Sequence, residues 1–598
     1  MGADPDGQDW RQADGRSVES LMGERRFGEA EALLERQRQE RQDDPTLALR
    51  HGQCLHELGR LEEAVPCYLR AMAGAPSDPE PLRLLGLLLE QAGDADQAEA
   101  LYRQAIAVRS DCIESLFCLG RFLSNQARID EARPLYEAIE RLDPQHPAAP
   151  FSIGRDARQL GAHDLALARL RQARQLAEGN PQAERWILEA LIFLLSIGSA
   201  QQVGAYLEAT DSYWQGIRKQ ESVGEPWAAP AHPVAEVGGR RLRIGILCAD
   251  LGAHVVSSFL AAFLEGYQRD QLEVELIATH LRHEARAETL IAQADGAHST
   301  VGLSSREARE LLRRQRYDVI VETAGFTHPA NLELLAQRCA PVQCHWIGYH
   351  ASTGLDTIDW FLGDGDFSPV EFADQFREKL WCLPRPWLAR SPSTPPPLAQ
   401  AEITSEAPVL GSFNQLAKLG EPTLAFWAAA LRALPQAQLL IKDRHTSNPS
   451  ACRRIRESLA RRGIDPGRLR FLPAVPDWQD HLRTYNSIDI ALDATPWSGS
   501  STAFDALAMG VPLVAIRGDC PSARMSTSVL TGMDRREWIS DDPTGFAAIV
   551  AGLARDLPAL RRDKAARQRQ ALSSCLHDPH DLGRHVGDAL MAMHRLAA

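Results

Sequence analysis

Residues 86–144, GLLLEQAGDADQAEALYRQAIAVRSDCIESLFCLGRFLSNQARIDEARPLYEAIERLDP, carry one pattern written almost twice. Gly86 and Gly120, Ala98 and Ala132, and Tyr102 and Tyr136 each stand 34 residues apart. The same step carried upstream meets Gly52, Ala64 and Tyr68; carried downstream it meets Gly154 and Ala166, with Leu170 in the aromatic position. Several residue types coinciding at one period mark a repeat array, in which each unit buries its apolar face only by stacking on its neighbours. Small residues at fixed points let two antiparallel helices approach closely, and the large residue is expected to fill the gap between successive units. Asp78-Pro79 and Asp143-Pro144 mark helix exits. A degenerate copy (Phe27, Ala30, Leu34) leads in and an apolar copy around Trp186 to Tyr206 follows, so a capped array is predicted over residues 11–215.

This pattern resembles the tetratricopeptide repeat, which implies a superhelix that binds extended peptides or partner proteins. Self-association as a homodimer is the plainer use of the same surface. Beyond it, residues 216–240 lose periodicity and gain Pro and Gly, the composition of a linker. Short apolar runs then alternate with amphipathic stretches: strands at Leu242–Cys248 (LRIGILC), Leu272–Thr279 and Asp318–Thr323 (DVIVET), and a helix at Ser305–Arg316. A Pro-rich segment, Ser391–Leu398 (SPSTPPPL), interrupts the alternation. It resumes with strands at Pro408–Phe413, Ala437–Lys442, Leu469–Leu472, Ile488–Asp493 and Pro512–Ile516 and a helix around Pro422–Leu434. Alternation of this kind predicts parallel α/β sheets. The expected plan is α + α/β: an N-terminal lobe at 241–390, an inter-lobe linker at 391–407 and a C-terminal donor-binding lobe at 408–598, with ligands at the carboxyl ends of the strands.

At 598 residues, 44% hydrophobic and 24% charged, the chain is an ordinary globular one of several domains. Its formal charge of −14 offers nucleic acid no overall attraction. The polar, acidic start MGADPDGQDWRQADGR argues against a secretory signal, and no stretch is long and apolar enough to span a bilayer. The 11 cysteines are scattered without a C-x-x-C pair, which points to reduced thiols in a cytoplasmic protein and away from a zinc site.

Chemistry concentrates in Ile488–Val514, IDIALDATPWSGSSTAFDALAMGVPLV. A strand ends at Asp493 and a helix opens near Ser501, so free backbone N–H groups, the positive helix end and the hydroxyls of Ser500, Ser501 and Thr502 suit a diphosphate. The bland alternative is an ordinary N-capped helix. Asp505, one turn in, would repel phosphate and accept from ribose hydroxyls. Gln415 and Lys418 of FNQLAK follow another strand of the same lobe, where Lys418 would neutralise charge on a departing diphosphate. In the first lobe, ADLGAH places Asp250 and His254 after the first strand, and His is the commonest general base near neutral pH. Asp364-Gly365-Asp366 has the look of a metal-binding D-x-D pair but reads as a turn.

Taken together, the chain resembles the protein O-linked N-acetylglucosamine transferases, a family that includes the plant SPINDLY protein O-fucosyltransferases. The resemblance rests on the repeat array, RLRIGILCADLGAH, APVQCHWIGYHASTGLDTIDWFLGD, GSFNQLAK and LDATPWSGSSTAFDALAMGVPLV, in that order. It implies two Rossmann-like lobes of the GT-B type and inverting transfer to Ser or Thr, with no metal or other cofactor beyond a UDP-N-acetylglucosamine co-substrate. By motif, Gln415 and Lys418 contact the donor, His481 of PDWQDHLRTY is a donor-contacting His, and Val475-Pro476 lines the base pocket. Ser500, Ser501 and Thr502 match the phosphate turn, Asp505 the ribose carboxylate and His254 the active-site His. The animal enzymes carry His in place of Ser500 and one residue fewer before the His481 equivalent. GSFNQLAK and TGLDTIDW stand as near the SPINDLY branch, which keeps GDP-fucose as an alternative donor. A non-catalytic repeat scaffold is the alternative from another class.

Overall fold

The computed structural model describes residues 17–23, 26–41, 43–221, 239–252, 254–280, 285–391 and 405–597. The array before residue 17 and most of the stretches 216–240 and 391–407 lie outside them. The chain forms two compact units, Met1–Ser152 and Ile153–Ala598.

In the first unit, helices pair as Pro45–Glu57 with Leu61–Gly74, Glu80–Gln91 with Ala95–Val108, and Ile113–Asn125 with Ile129–Leu142, after a lead-in of Val18–Gly23 and Phe27–Glu40. Asp44 starts one helix by accepting the amides of Thr46 and Leu47, and Asp94 another by accepting that of Gln97. The 34-residue pattern has a steric cause. A Cβ on Gly52 would stand 2.6 Å from the Tyr68 ring, one on Gly86 2.8 Å from Tyr102, and one on Gly120 2.5 Å from Tyr136. Each aromatic therefore interlocks the two helices of its own unit, a closer role than the gap between units expected from sequence. It also reaches the next unit, since the Tyr102 and Phe122 ring centroids are 5.8 Å apart.

In the second unit, Gly154 meets Leu170 in the same way, pairing Ala148–Gln159 with His163–Leu176. Helices Pro181–Ser196 and Val203–Glu221 follow, the latter running past the residue 215 expected from periodicity. These last helices pack on the loop after Val342–His345 and on helix Pro329–Leu335 of the first lobe. Trp214 Nε1 donates to the Thr353 carbonyl at 3.0 Å, the Tyr206 hydroxyl donates to Ser352 O, and Arg185 pairs with Glu333 at 2.5 Å.

The first sheet holds β1 (Leu242–Cys248), β2 (Leu272–Ala278), β3 (Gly296–Ser299), β4 (Val319–Glu322), β5 (Val342–His345), β6 (Trp360–Asp364) and β7 (Lys379–Leu383), in the order β3-β2-β1-β4-β5-β6-β7. The second holds β8 (Val409–Ser412), β9 (Gln438–Lys442), β10 (Leu469–Leu472), β11 (Ile490–Leu492), β12 (Leu513–Ile516) and β13 (Ile539–Ser540), in the order β10-β9-β8-β11-β12-β13. Every pair is parallel. Both sheets thus reverse direction beside their first strand, between β1 and β4 and between β8 and β11, and such a switch point opens a crevice at the strand ends. The last helix, Pro579–Ala597, belongs by sequence to the second lobe but packs on helix Val255–Gly266 of the first. The contact is so close that a Cβ on Gly266 would meet Pro579 O at 1.8 Å.

Candidate active site

After β8 the chain makes a 3-10 turn, Leu416–Lys418, before helix Glu421–Ala433. Gln415 is exposed at its start, whereas Lys418 is 9% exposed. Lys418 Nζ donates 2.7 Å to the Ser498 carbonyl and lies 4.6 Å from the Trp497 ring centroid. Burial pulls its pKa down, and burial likewise pushes Asp493 up at the end of β11. Asp493 accepts the Gly499 amide at 2.9 Å, which folds the Pro496–Ser500 turn back toward the lysine. Helix Ser501–Ala508 then begins with no side-chain cap. The Ser500 side chain does not cap it and its carbonyl accepts the Ala503 and Phe504 amides, which leaves the amides of Ser501 and Thr502 without an intrahelical acceptor. Thr502 Oγ1 donates to Asn414 at 3.0 Å and ties this helix to the lysine loop.

Asp505 is almost fully buried. Arg390 donates to its Oδ1 at 2.6 Å, and His481 Nε2 stands 3.4 Å from its Oδ2. His481 Nδ1 accepts from Lys442 Nζ at 2.9 Å, which leaves the ring proton on Nε2, facing Asp505. Lys442 sits over the Phe413 ring, and burial lowers its pKa to about 8. Asp505 thus sits inside a Lys442–His481–Asp505–Arg390 chain, and the charge that the sequence reading set against phosphate is matched by the Arg390 cation. Trp478 stacks on His481 and also touches Arg390. With Val475 (37% exposed) and the exposed Pro476, Trp478 (48% exposed) forms an apolar rim above the chain, suited to a flat base.

In the opposite lobe, Asp250 follows β1 and is 6% exposed. His254 Nδ1 lies 3.5 Å from its Oδ2 and His328 Nε2 lies 3.4 Å from its Oδ1; both rings are about 40% exposed. His254 also caps helix Val255–Gly266 by accepting the Val256 amide at 3.4 Å, which its neutral ring does with the proton on Nε2. One and a half turns on, Phe259 meets Phe504 of helix Ser501–Ala508 at 5.5 Å between centroids. The two switch points therefore face each other. After β5, Ile347 adopts φ 89°, costly for a β-branched residue, with its side chain buried in the core.

Asp364 Oδ1 accepts the amides of Asp366 and Phe367, and its Oδ2 accepts from the Trp387 amide and Ser528 Oγ. Asp366 pairs with Arg536. The D-x-D residues thus form a turn and a strut between lobes.

Three participants escaped the sequence reading. Lys442 ends an apolar strand, QLLIK, and a charge on a buried strand was the available signal. Arg390 sits where periodicity is lost, so nothing local marks it. His350, 7% exposed, lies 6.0 Å from the Trp497 ring and is pushed down to about 3 by burial and then by Lys418. Phe193 of the repeat helices packs on Trp497 at 5.7 Å, so the repeats build the back wall of the lysine site.

Comparison with known proteins agrees with this fold. Tetratricopeptide signatures match residues 43–111, 83–147 and 119–181. A relative from Oryza sativa subsp. japonica named a probable UDP-N-acetylglucosamine–peptide N-acetylglucosaminyltransferase SPINDLY is 29% identical over 370 residues, covering 60% of this chain and 40% of the relative. The similarly named SEC protein of Arabidopsis thaliana is 25% identical over 51% of this chain and 32% of its own length. The chain spans about two fifths of the length of the first of these curated relatives and a third of the second. A solved point mutant of the Thermobaculum terrenum O-GlcNAc transferase superposes with a TM-score of 0.76 at 27% identity, covering 87% of this chain and 98% of that one. The signature of glycosyl transferase family 41 matches residues 225–390 and 397–584, more than half of the chain and both sheets, and the chain belongs to that family.

Proposed function

We propose that the chain is an inverting protein O-glycosyltransferase that moves N-acetylglucosamine from UDP-N-acetylglucosamine to Ser or Thr hydroxyls of proteins held by the repeats. The observation that carries the reading is Lys418, buried beside an uncapped helix start at one switch point and opposite the His254 switch point. The acceptor oxygen bonds to the anomeric carbon from the face opposite the diphosphate. The sugar–diphosphate bond breaks with its electron pair left on the β-phosphate oxygen, and the hydroxyl proton passes to His254 Nδ1, displacing the 3.4 Å bond from the Val256 amide, to give an imidazolium beside Asp250. Burial lowers the Lys418 pKa only to about 8, so the ammonium is mostly charged near pH 7, and an arriving diphosphate favours that form further. Its charge then counts most as the leaving group departs.

Lys418 and the amides of the 500–502 turn supply the positive charge, which supports a metal-independent transfer; the oxygens of Asp364 already accept four donors. Among the described residues the cysteines are free thiols and no helix is long and apolar enough to cross a membrane, which supports a place in the cytosol. GDP-fucose is the second reading, favoured by GSFNQLAK and TGLDTIDW. A thermal-shift panel of UDP- and GDP-sugars tests the donor: UDP-N-acetylglucosamine should stabilise most, by mass action. A shift with GDP-fucose alone would overturn the donor and leave the reaction class standing; no shift with any nucleotide sugar would favour the scaffold.

A further inference from the structure

The loop that carries Lys418 is held from outside its own lobe. Of its five consecutive carbonyls, Gln415 O accepts from the Lys418 amide and Leu416 O from the Leu419 amide, both at 2.9 Å. Lys418 O accepts from Thr423 Oγ1 at 2.9 Å, and Leu419 O from Arg454 at 2.8 Å. The middle one, Ala417 O, accepts from His163 Nε2 at 2.7 Å, and His163 begins the second helix of the fourth repeat. Burial lowers the His163 pKa, so the ring is neutral near pH 7 and its proton sits on Nε2. The ring lies against Gly420, where a Cβ would stand 3.0 Å from Nδ1. Two residues earlier, Gly161 adopts φ +74°, and a Cβ there would meet Leu416 O at 2.5 Å and Leu419 O at 2.9 Å. Only glycine lets the repeat turn come this close.

The peptide plane from Ala417 to Lys418 is thereby pinned at both ends, its N–H by Gln415 and its C=O by His163. The Lys418 side chain departs from that plane. We propose that His163, brought onto the loop by Gly161, is a positioning residue that sets the direction of the Lys418 ammonium, so that the fourth repeat completes the donor site. This rests on the transferase role of Lys418. A displacement near 1 Å at such a group costs on the order of 10²-fold in rate.

The test uses the full chain and follows release of nucleoside diphosphate from the donor selected by the thermal panel, UDP-N-acetylglucosamine being expected. His163→Ala should lower kcat about 10- to 100-fold with donor affinity and melting temperature close to wild type. His163→Gln, whose amide nitrogen reaches the same carbonyl, should restore most of the rate. The double variant with Lys418→Ala should be no slower than Lys418→Ala alone. Wild-type kcat in His163→Ala beside an inactive Lys418→Ala overturns the inference and leaves the function intact, as do additive losses in the double variant. A Lys418→Ala enzyme at wild-type rate sinks the function reading and the inference with it. Should the alanine variant fail to fold, His163→Asn, which keeps polarity but draws the donor back, gives the same reading: an unchanged kcat overturns the inference.

Discussion

The two sheets share one strand order about their switch points and present opposite chemistry there. In the second lobe the charged groups are buried and paired: Lys418 with Ser498 O, Asp505 with Arg390, Lys442 with His481. In the other lobe the imidazoles of His254 and His328 stand about 40% exposed around one buried carboxylate. Topology fixes where a crevice forms, while burial fixes what each side can do. A buried cation costs desolvation and is pre-aimed at an anion; a partly exposed imidazole remains within reach of substrate and water.

The contrast can be broken by variants that separate stability from rate. The largest loss is expected for Asp505→Ala, which leaves Arg390 without its carboxylate: about 3–5 kcal/mol of stability in urea unfolding, along with weaker donor binding. Unchanged stability would mean the pair carries no structural load. Lys418→Ala should slow single-turnover transfer about 10²–10³-fold while donor affinity changes only a few-fold. A loss confined to affinity would move Lys418 from leaving-group stabilisation to ground-state binding. His254→Asn keeps a good helix cap, so it should slow transfer about 10²-fold and hold stability within about 0.5 kcal/mol. A melting temperature that falls as far as that of Asp505→Ala would erase the distinction between the lobes.

The smallest effect concerns pH. The Lys442 pKa falls from 10.5 to about 8 on folding, so between those values the unfolded chain binds the extra proton, and this group's contribution to stability rises with pH. Wild type should therefore gain on Lys442→Met by about 1–3 kcal/mol from pH 7.5 to 10. Parallel stability curves for the two proteins would show the ammonium to be solvated.

Much of this was legible in the chain because period and alternation are local signals. The Gly–Tyr repeat, the apolar strands β1, β8 and β12, and the residues that follow strand ends could be read directly. Strands such as Gly296–Ser299 and Val342–His345 were not, since four residues with polar members show no period. The partners of the site were hidden for a different reason. Arg390 lies 115 residues from Asp505, and His163 lies 254 from Ala417, so each pairing exists only after folding. Sequence placed Asp505 near the donor, but its carboxylate proved already engaged.

The glycine–tyrosine interlock has a consequence for how such an array changes length. Because each aromatic closes on the glycine of its own unit, a 34-residue module is sterically complete in itself. Excising residues 77–110 removes Gly86 together with Tyr102 and joins equivalent backbone positions, so every remaining pair stays matched. Excising 95–110 removes Tyr102 alone and leaves Gly86 facing a void. The array therefore lengthens and shortens in whole steps, a ruler with fixed graduations.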